Sequence, residues 1–382
     1  MTPKLHKNWI DPFAIQIIKA LQDAGFEAYL VGGCVRDLLV GLHPKDYDIA
    51  TNASPQQVRR KIYNSYIIGR RFRLVLVRRG QTLFEVATFR RSGTAEEVET
   101  PEAQEESAVV GDNFFGSREE DAKRRDFTIN ALLYDPINNE LIDYCNGNAD
   151  IENRCLRMIG DAPTRLLEDP IRILRAVRLS QKLNFSLEES LRSAIVDKSE
   201  ELLKSALPRR REEFLKFLRL ENSPSLWTEL YDLGVLKVIL PGLHAVFEDA
   251  QKQDIFLSGL RRWSQFDIDP QNTLEMFAAF LQIFILAYYG EDADIAMLQE
   301  DPRLQIMVRD QLGVFKNESG VFFQALQLKS ALLKTDDYLR RGERRRRSIL
   351  DSEFFNLAFK LGCVDLSLTP ALQVFWLQEK CR

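Results

Sequence analysis

The residues best able to do chemistry fall in one run, LVGGCVRDLLVGLHPKDYDIAT, residues 30–51. A strand-like stretch, FEAYLV at 26–31, delivers Gly32-Gly33 to a short helix over 35–40. Unpaired backbone N–H groups at a helix start, with the helix dipole behind them, attract phosphate. Glycine lets a phosphate approach the backbone closely, and Arg36, about one turn in, can fork onto phosphate oxygens. Further on, Asp46 and Asp48 flank Tyr47. On a strand over 47–49, positions i and i+2 share a face, so both carboxylates project together. Adjacent carboxylates repel unless a divalent cation neutralises them, and Mg²⁺ suits an oxygen-rich site. A Gly-Gly pair alone is usually a tight turn, and D-x-D alone a solvated strand end. The two at this spacing are far more specific.

Glu85 is the natural third carboxylate. It lies on FEVATF, whose alternation predicts a strand beside the Asp pair, and a third acidic ligand helps hold two metals. Alone, Glu85 reads equally as an edge-strand residue facing water. Next comes EEDAKRRDFTINALLYD, residues 119–135. Read as a helix, it puts Arg125, Asp126 and Asn130 near one face and Phe127, Ile129, Leu132 and Leu133 on the buried side. That polar face suits ribose hydroxyls and phosphates; the bland alternative is a surface helix. In LLEDPIRILRAVRLSQKL, residues 166–183, Asp169-Pro170 reads as N-cap and N1 with Glu168 ahead. Arg172, Arg175 and Arg178 then form a basic stripe opposite Ile171, Leu174 and Val177. Asp and Arg side chains there can pair with a nucleobase edge or bind phosphate, although such a stripe is usually a solvated face.

The elements that must position these groups are mixed at first and helical later. Residues 11–24 have helical periodicity, opening at Asp11-Pro12 and ending at Gly25, and strands are expected at 73–78 and 83–88. From Arg118 onward the pattern is helical. The expected fold is therefore an α/β (α+β) head followed by an all-helical remainder. Met276 to Tyr289 is apolar over 14 residues, short of the roughly 20 that a membrane span needs, and reads as a buried core helix.

Composition narrows the chemistry. The chain has 382 residues, room for two or three domains, and 52 basic against 56 acidic side chains, a formal charge of −4. Bulk positive charge is absent, yet the charges are segregated. Eight basic residues and no acidic one lie between Asp48 and Glu85, and acidic residues dominate 92–112, which reads as a mobile loop; a further arginine cluster occupies 340–347. Five cysteines without a C-x-x-C pair and three scattered histidines leave no material for a disulfide scaffold or a Cys/His zinc site. No secretory h-region is visible at the N-terminus, and a cytoplasmic protein is expected.

In order and approximate spacing, LVGGCVRD…KDYDIAT, RRDFTINAL and EDPIRILRA resemble the class II nucleotidyltransferase family, the bacterial poly(A) polymerases and CCA-adding tRNA nucleotidyltransferases. The likeness covers roughly residues 25–185. It implies a polymerase-β-type head over 1–155, a helical neck over 156–215 that binds nucleotide and RNA, and a helical body and tail over 216–382 that bind RNA. It implies template-independent addition of nucleotides to an RNA 3′ end, with Mg²⁺ as cofactor and ATP as substrate. Carried over by position, the metal-binding acids are Asp46, Asp48 and Glu85, and the catalytic residues are Asp46, Asp48 and Asp126. Nucleotide binding falls on Gly32, Gly33, Arg36, Arg125, Asp126, Asn130, Glu168, Asp169, Arg172 and Arg175. One departure is Asn146-Gly147, where many relatives carry Gly-Gly; Asn tolerates the same backbone region, so the turn survives.

IIGRRFRLVLV, residues 67–77, resembles the basic segment of the poly(A) polymerase branch, where many tRNA enzymes have Gly-Thr in place of Arg73-Leu74. Arg70, Arg71 and Arg73 would hold a single-stranded RNA backbone. The branch favoured is poly(A) polymerase acting as a monomer. The alternative matures tRNA 3′ ends, and a catalytically inactive RNA-binding protein is a third possibility.

Overall fold

The computed structural model describes residues 5, 7–69, 74–91, 114–220, 223–291 and 293–381. Arg70, Arg71 and Arg73, and the acidic stretch 92–112, lie outside the described residues. The chain folds as two compact units: residues up to Arg165 with Asn184–Leu191, and Leu166–Leu183 with the residues from Arg192 onward.

The first unit is built on a seven-stranded mixed sheet whose strands run, edge to edge, Ser65–Ile68, Leu74–Arg79, Thr82–Thr88, Asp48–Thr51, Ala28–Val31, Leu133–Asp135 and Glu140–Ile142. Helix α1 (Pro12–Gln22) begins where Asp11 accepts the Phe13 N–H at 2.7 Å, with Pro12 preset for the first helical position. Strand β1 (Ala28–Val31) is buried on both faces, and α2 (Gly33–Leu39) follows directly. Strand β2 (Asp48–Thr51) pairs antiparallel with β1. The sequence predicts a strand from residue 47, but Asp46 and Tyr47 precede the ladder. Helix α3 (Pro55–Lys61) opens with a capping box between Ser54 and Gln57. Strands β3 (Ser65–Ile68), β4 (Leu74–Arg79) and β5 (Thr82–Thr88) form an antiparallel meander, and β5 runs parallel to β2. On one face Val75, Val77, Phe84, Val86, Leu30 and Ile49 are buried, with Phe13 of α1 reaching Phe84 at 5.3 Å between ring centroids.

The expectation of helix from Arg118 onward is corrected here. The helix Arg118–Lys123, capped by Ser117 and Glu120, stops at Arg124 and gives way to a 3-10 turn, Thr128–Asn130. Strands β8 (Leu133–Asp135) and β9 (Glu140–Ile142) then extend the main sheet beside β1. Two small pairings lie outside it: β6 (Arg90–Arg91) with β7 (Phe114–Phe115), and β10 (Cys155–Leu156) with β11 (Ser186–Leu187). Helix ends at Arg124 because Asp126 turns its carboxylate onto the Phe127 N–H at 2.9 Å, a side-chain bond that competes with the helical ladder. The apolar residues read as one helical face instead belong to three local structures.

The second unit is helical. Helix Thr273–Tyr289 is its central element, buried from Met276 through Ile285, as its apolar sequence predicts. Trp227 stacks on Phe280 at 5.0 Å beside Phe217 and Phe256. Arg211 lies between the rings of Phe277 and Phe315, at 4.8 and 4.3 Å, with Glu318 neutralising it. No helix among the described residues is long and apolar enough to cross a membrane.

Candidate active site

The site is assembled where β1 ends. Gly32 has φ +72°, a left-handed value that glycine adopts without strain. A Cβ at this position would meet Arg125 Nη1 at 2.9 Å and Asp48 Oδ2 at 3.8 Å. The Gly-Gly turn, the Asp pair and the RRDFTIN segment, far apart in sequence, thus converge within one small region.

Asp48 opens β2 and lies in register with Glu85 on the parallel neighbour β5, so the two carboxylates share a sheet face. Burial raises the Asp48 pKa; Arg125 pulls it back and Asp46 pushes it up again. Glu85 is exposed overall, yet partial burial of its carboxyl, then repulsion from Asp48 and Asp46, raises its pKa. Asp46 is exposed in the bend before the strand rather than on it. Among the described residues no group of three or more His, Cys, Asp or Glu side chains is arranged to hold a metal ion as it stands. The donor chemistry nevertheless fits a hard divalent cation: three carboxylates sense one another, and two have raised pKa values that such a cation would relieve.

Around this centre the polar groups are locked together. Arg125 donates to Asp121 at 3.0 Å and to the Asn130 carbonyl at 3.3 Å. Asn130 donates through Nδ2 to Asp126 at 3.0 Å and accepts at Oδ1 from Arg36 at 2.6 Å. Arg36 is therefore buried, and its guanidinium also donates to Asp37 at 2.6 and 2.9 Å. The sequence predicts a fork open to phosphate; the structure places Arg36 as an inward strut beneath the turn. Cys34 is buried beside Asp48, and burial, then the Asp48 charge, pushes its thiol up to about 12, so it is no nucleophile.

Two supporting acids escaped the sequence. Asp121 is buried and takes Arg124, Arg125 and the Arg90 N–H. Burial alone would raise its pKa, but Arg125 and Arg124 outweigh this and lower it. Its spacing of three and four residues before the two arginines was the available signal. Asp37, adjacent to Arg36, offered no comparable pattern. Asn146-Gly147 behaves as the sequence predicts: Asn146 is left-handed at φ +60°, and a Cβ on Gly147 would lie 2.2 Å from the Thr128 carbonyl oxygen. That close approach seats the helix Gly147–Glu152 against the turn carrying Asn130.

The other expected nucleotide contacts lie in the second unit. Glu168 and Arg172 pair at 3.2 Å, and Asp169 takes a two-point contact from Arg209 at 2.8 and 2.9 Å. Arg178 donates to buried Glu213 at 2.7 Å, and Arg175 lies 4.0 Å from the same carboxylate. The expected arginine stripe is accordingly half-buried and supplied with acidic partners rather than a free solvated face.

Comparison with known proteins shows the family. Residues 28–157 match the family described as the poly A polymerase head domain, and residues 184–247 match one described as a probable RNA and SrmB-binding site of polymerase A. The chain is 42% identical over 245 residues to poly(A) polymerase I of Haemophilus influenzae, covering 64% of this chain and 54% of that protein. It is 41% identical over 203 residues to the CCA-adding enzyme of Lactobacillus helveticus, covering 53% and 49%. The chain thus spans about half the length of the curated relatives it matches. Among solved structures, the Bacillus stearothermophilus CCA-adding enzyme in complex with CTP aligns over 97% of this chain and 83% of that one, with a TM-score of 0.69 and 25% identity.

Proposed function

We propose that this chain, which belongs to the nucleotidyltransferase family of bacterial poly(A) polymerases and CCA-adding enzymes, transfers AMP from ATP to RNA 3′ ends with release of pyrophosphate. The observation that carries the proposal is the convergence of Gly32, Asp48, Arg125 and Asn130, with Glu85 in register beside Asp48. Residues 1–155 serve in it as the catalytic head, 156–215 as the neck, and 216–382 as the RNA-binding body and tail.

Asp46, Asp48 and Glu85 would hold Mg²⁺, which supplies charge neutralisation at a phosphate and a more acidic hydroxyl. The chain's own groups do the positioning. The Gly32-Gly33 backbone lets the triphosphate approach closely, and Arg125, fixed by Asp121, offers it positive charge. Asp126 and Asn130, hydrogen-bonded to each other, face the ribose. Glu168, Asp169 and Arg172, with Arg175 nearby, present acceptors and donors that select the base edge without a template. The transfer is an in-line displacement: the RNA 3′ oxygen bonds to the α-phosphorus, the bond to the bridging oxygen breaks, and pyrophosphate leaves.

Adenylate addition is favoured by the likeness to poly(A) polymerase I and by the basic 67–77 segment. Maturation of tRNA ends is the second function, favoured by the CCA-adding relatives. Purified protein should be given an unstructured RNA and a tRNA lacking its 3′ end, with ATP and CTP supplied separately. Long A tails on both primers without CTP use are the expected result. A stop after CCA on tRNA alone would move the chain to the other branch.

A further inference from the structure

The sheet face that carries the carboxylates continues beyond them. Register places Asp48 beside Glu85, Glu85 beside Leu76, and Leu76 beside Tyr66, one row of side chains on one face. At about 4.8 Å per strand the row runs about 14 Å from Asp48 to Tyr66, room for about four stacked nucleotides. The adjacent row holds Leu83 opposite Arg78. Over β1, β2 and β8 this face is covered: Tyr29, Val31, Ala50 and Leu133 pack with Ala122 and Ala131. Over β3 to β5 it is open among the described residues, with Tyr66 56%, Leu83 50% and Ile68 42% exposed.

Tyr66 is exposed but not loose. Its hydroxyl donates to Asn64 Oδ1 at 2.9 Å, and Asn64 Nδ2 donates to the Arg78 carbonyl at 2.9 Å. The polar tip is satisfied and the ring plane fixed, so little side-chain entropy is left to lose on binding. Positive charge borders the platform. Arg78 is exposed beside Leu83, at the sheet end where it also meets a groove of about 470 Å³ whose other wall, Phe13, Ile17 and Ala20 of α1, belongs to the covered face. No acidic residue interrupts the sequence between Asp48 and Glu85.

We propose that the open face of β3, β4 and β5 is a base-stacking platform for the single-stranded RNA leading to the 3′ end, with Tyr66 as its anchoring ring and Arg78 as a phosphate contact. A protein partner would also bury the apolar strip, but the exposed Arg78 within it and continuity with the Asp48–Glu85 row favour a polyanion with flat bases. The proposal rests on the assignment of RNA 3′ ends as substrate.

The test uses the full chain and fluorescein-labelled oligoadenylates of increasing length, with binding read by anisotropy and AMP incorporation measured separately. For the parent, affinity should rise over the first few nucleotides. Tyr66→Ala should lose most of that gain, weakening binding about tenfold and raising KM for RNA alike while leaving KM for ATP in place. Tyr66→Trp should restore binding. Leu83→Ser, which leaves the Asn64 network intact, should weaken it about threefold and keeps the test alive if Tyr66→Ala does not fold. Ile137→Ala, on the turn between β8 and β9 at the other edge, is the control. A folded Tyr66→Ala protein that binds RNA like the parent overturns the platform, as does a parent that binds no oligoadenylate or a Tyr66→Trp variant as weak as Tyr66→Ala. If the parent binds RNA but incorporates no AMP, the proposed function fails, while the platform is still judged by anisotropy.

Discussion

At the scale of single residues, the candidate site costs the fold stability. Asp48 is held among like charges and partly out of water, so its folded pKa lies above its unfolded one, and Glu85 follows the same direction. The folded state then binds more protons than the unfolded state between the ordinary carboxylate value and the raised one. By linkage, stability falls as pH rises through that window and is recovered below it. Asp48→Asn should therefore abolish AMP incorporation yet raise the melting temperature of the metal-free protein at neutral pH. Adding Mg²⁺ should narrow the gap by stabilising only the parent. A variant that melts lower than the parent without metal, or keeps its activity, would refute the assignment. The same raised values predict that activity falls earlier on acidification than for ordinary carboxylates, because a proton competes with the cation.

At the scale of elements, the segment from Arg118 to Asp135 matters most. Its apolar spacing suggests one helix, but the chain makes a helix, a 3-10 turn and a strand in succession. Local polar bonds decide this. Asp126 captures the Phe127 N–H, and Asp121 holds Arg124 and Arg125 at the point where the helix stops. Asp121 is the opposite electrostatic case to Asp48. Its lowered pKa contributes stability above the unfolded value that is lost as pH falls through the folded one. Removing it leaves two arginines without their buried carboxylate. Asp121→Ala should cost about 3 kcal/mol in denaturant unfolding and raise KM for ATP through the freed Arg125. A change below about 0.5 kcal/mol would show that the pair is incidental.

At the scale of the whole molecule, the balance of 52 basic against 56 acidic residues conceals a segregated charge map. Of the eight basic residues between Asp48 and Glu85, Arg78 shares the sheet face of the carboxylates, while acidic residues elsewhere in the sequence offset the total. RNA affinity should accordingly fall steeply with salt despite a net charge of −4. Each phosphate engaged on a single strand contributes about −0.7 to the slope of log K against log salt. Arg78→Gln should make that slope shallower by about one such step, whereas Tyr66→Ala should weaken binding with the slope retained. An unchanged slope in Arg78→Gln would remove that residue from the phosphate contacts.

The sequence by itself determined the chemical vocabulary. Gly32-Gly33, the Asp46/Asp48 pair, Glu85 in an alternating strand and the capped helices carry their physics locally, in backbone freedom, charge repulsion and period-two or helical spacing. Those signals were enough for a mixed sheet followed by helices and for most of the groups that converge. What the tertiary structure decided was relation. Only the parallel register of β2 with β5 sets Glu85 beside Asp48, and only packing turns Arg36 inward onto Asn130. The short strands β8 and β9 were missed because three residues give too little periodicity to outweigh a neighbouring helical pattern. The open platform with Tyr66 was hidden for a related reason. Which face of a strand stays uncovered is set by elements distant in sequence, and no local residue pattern records it.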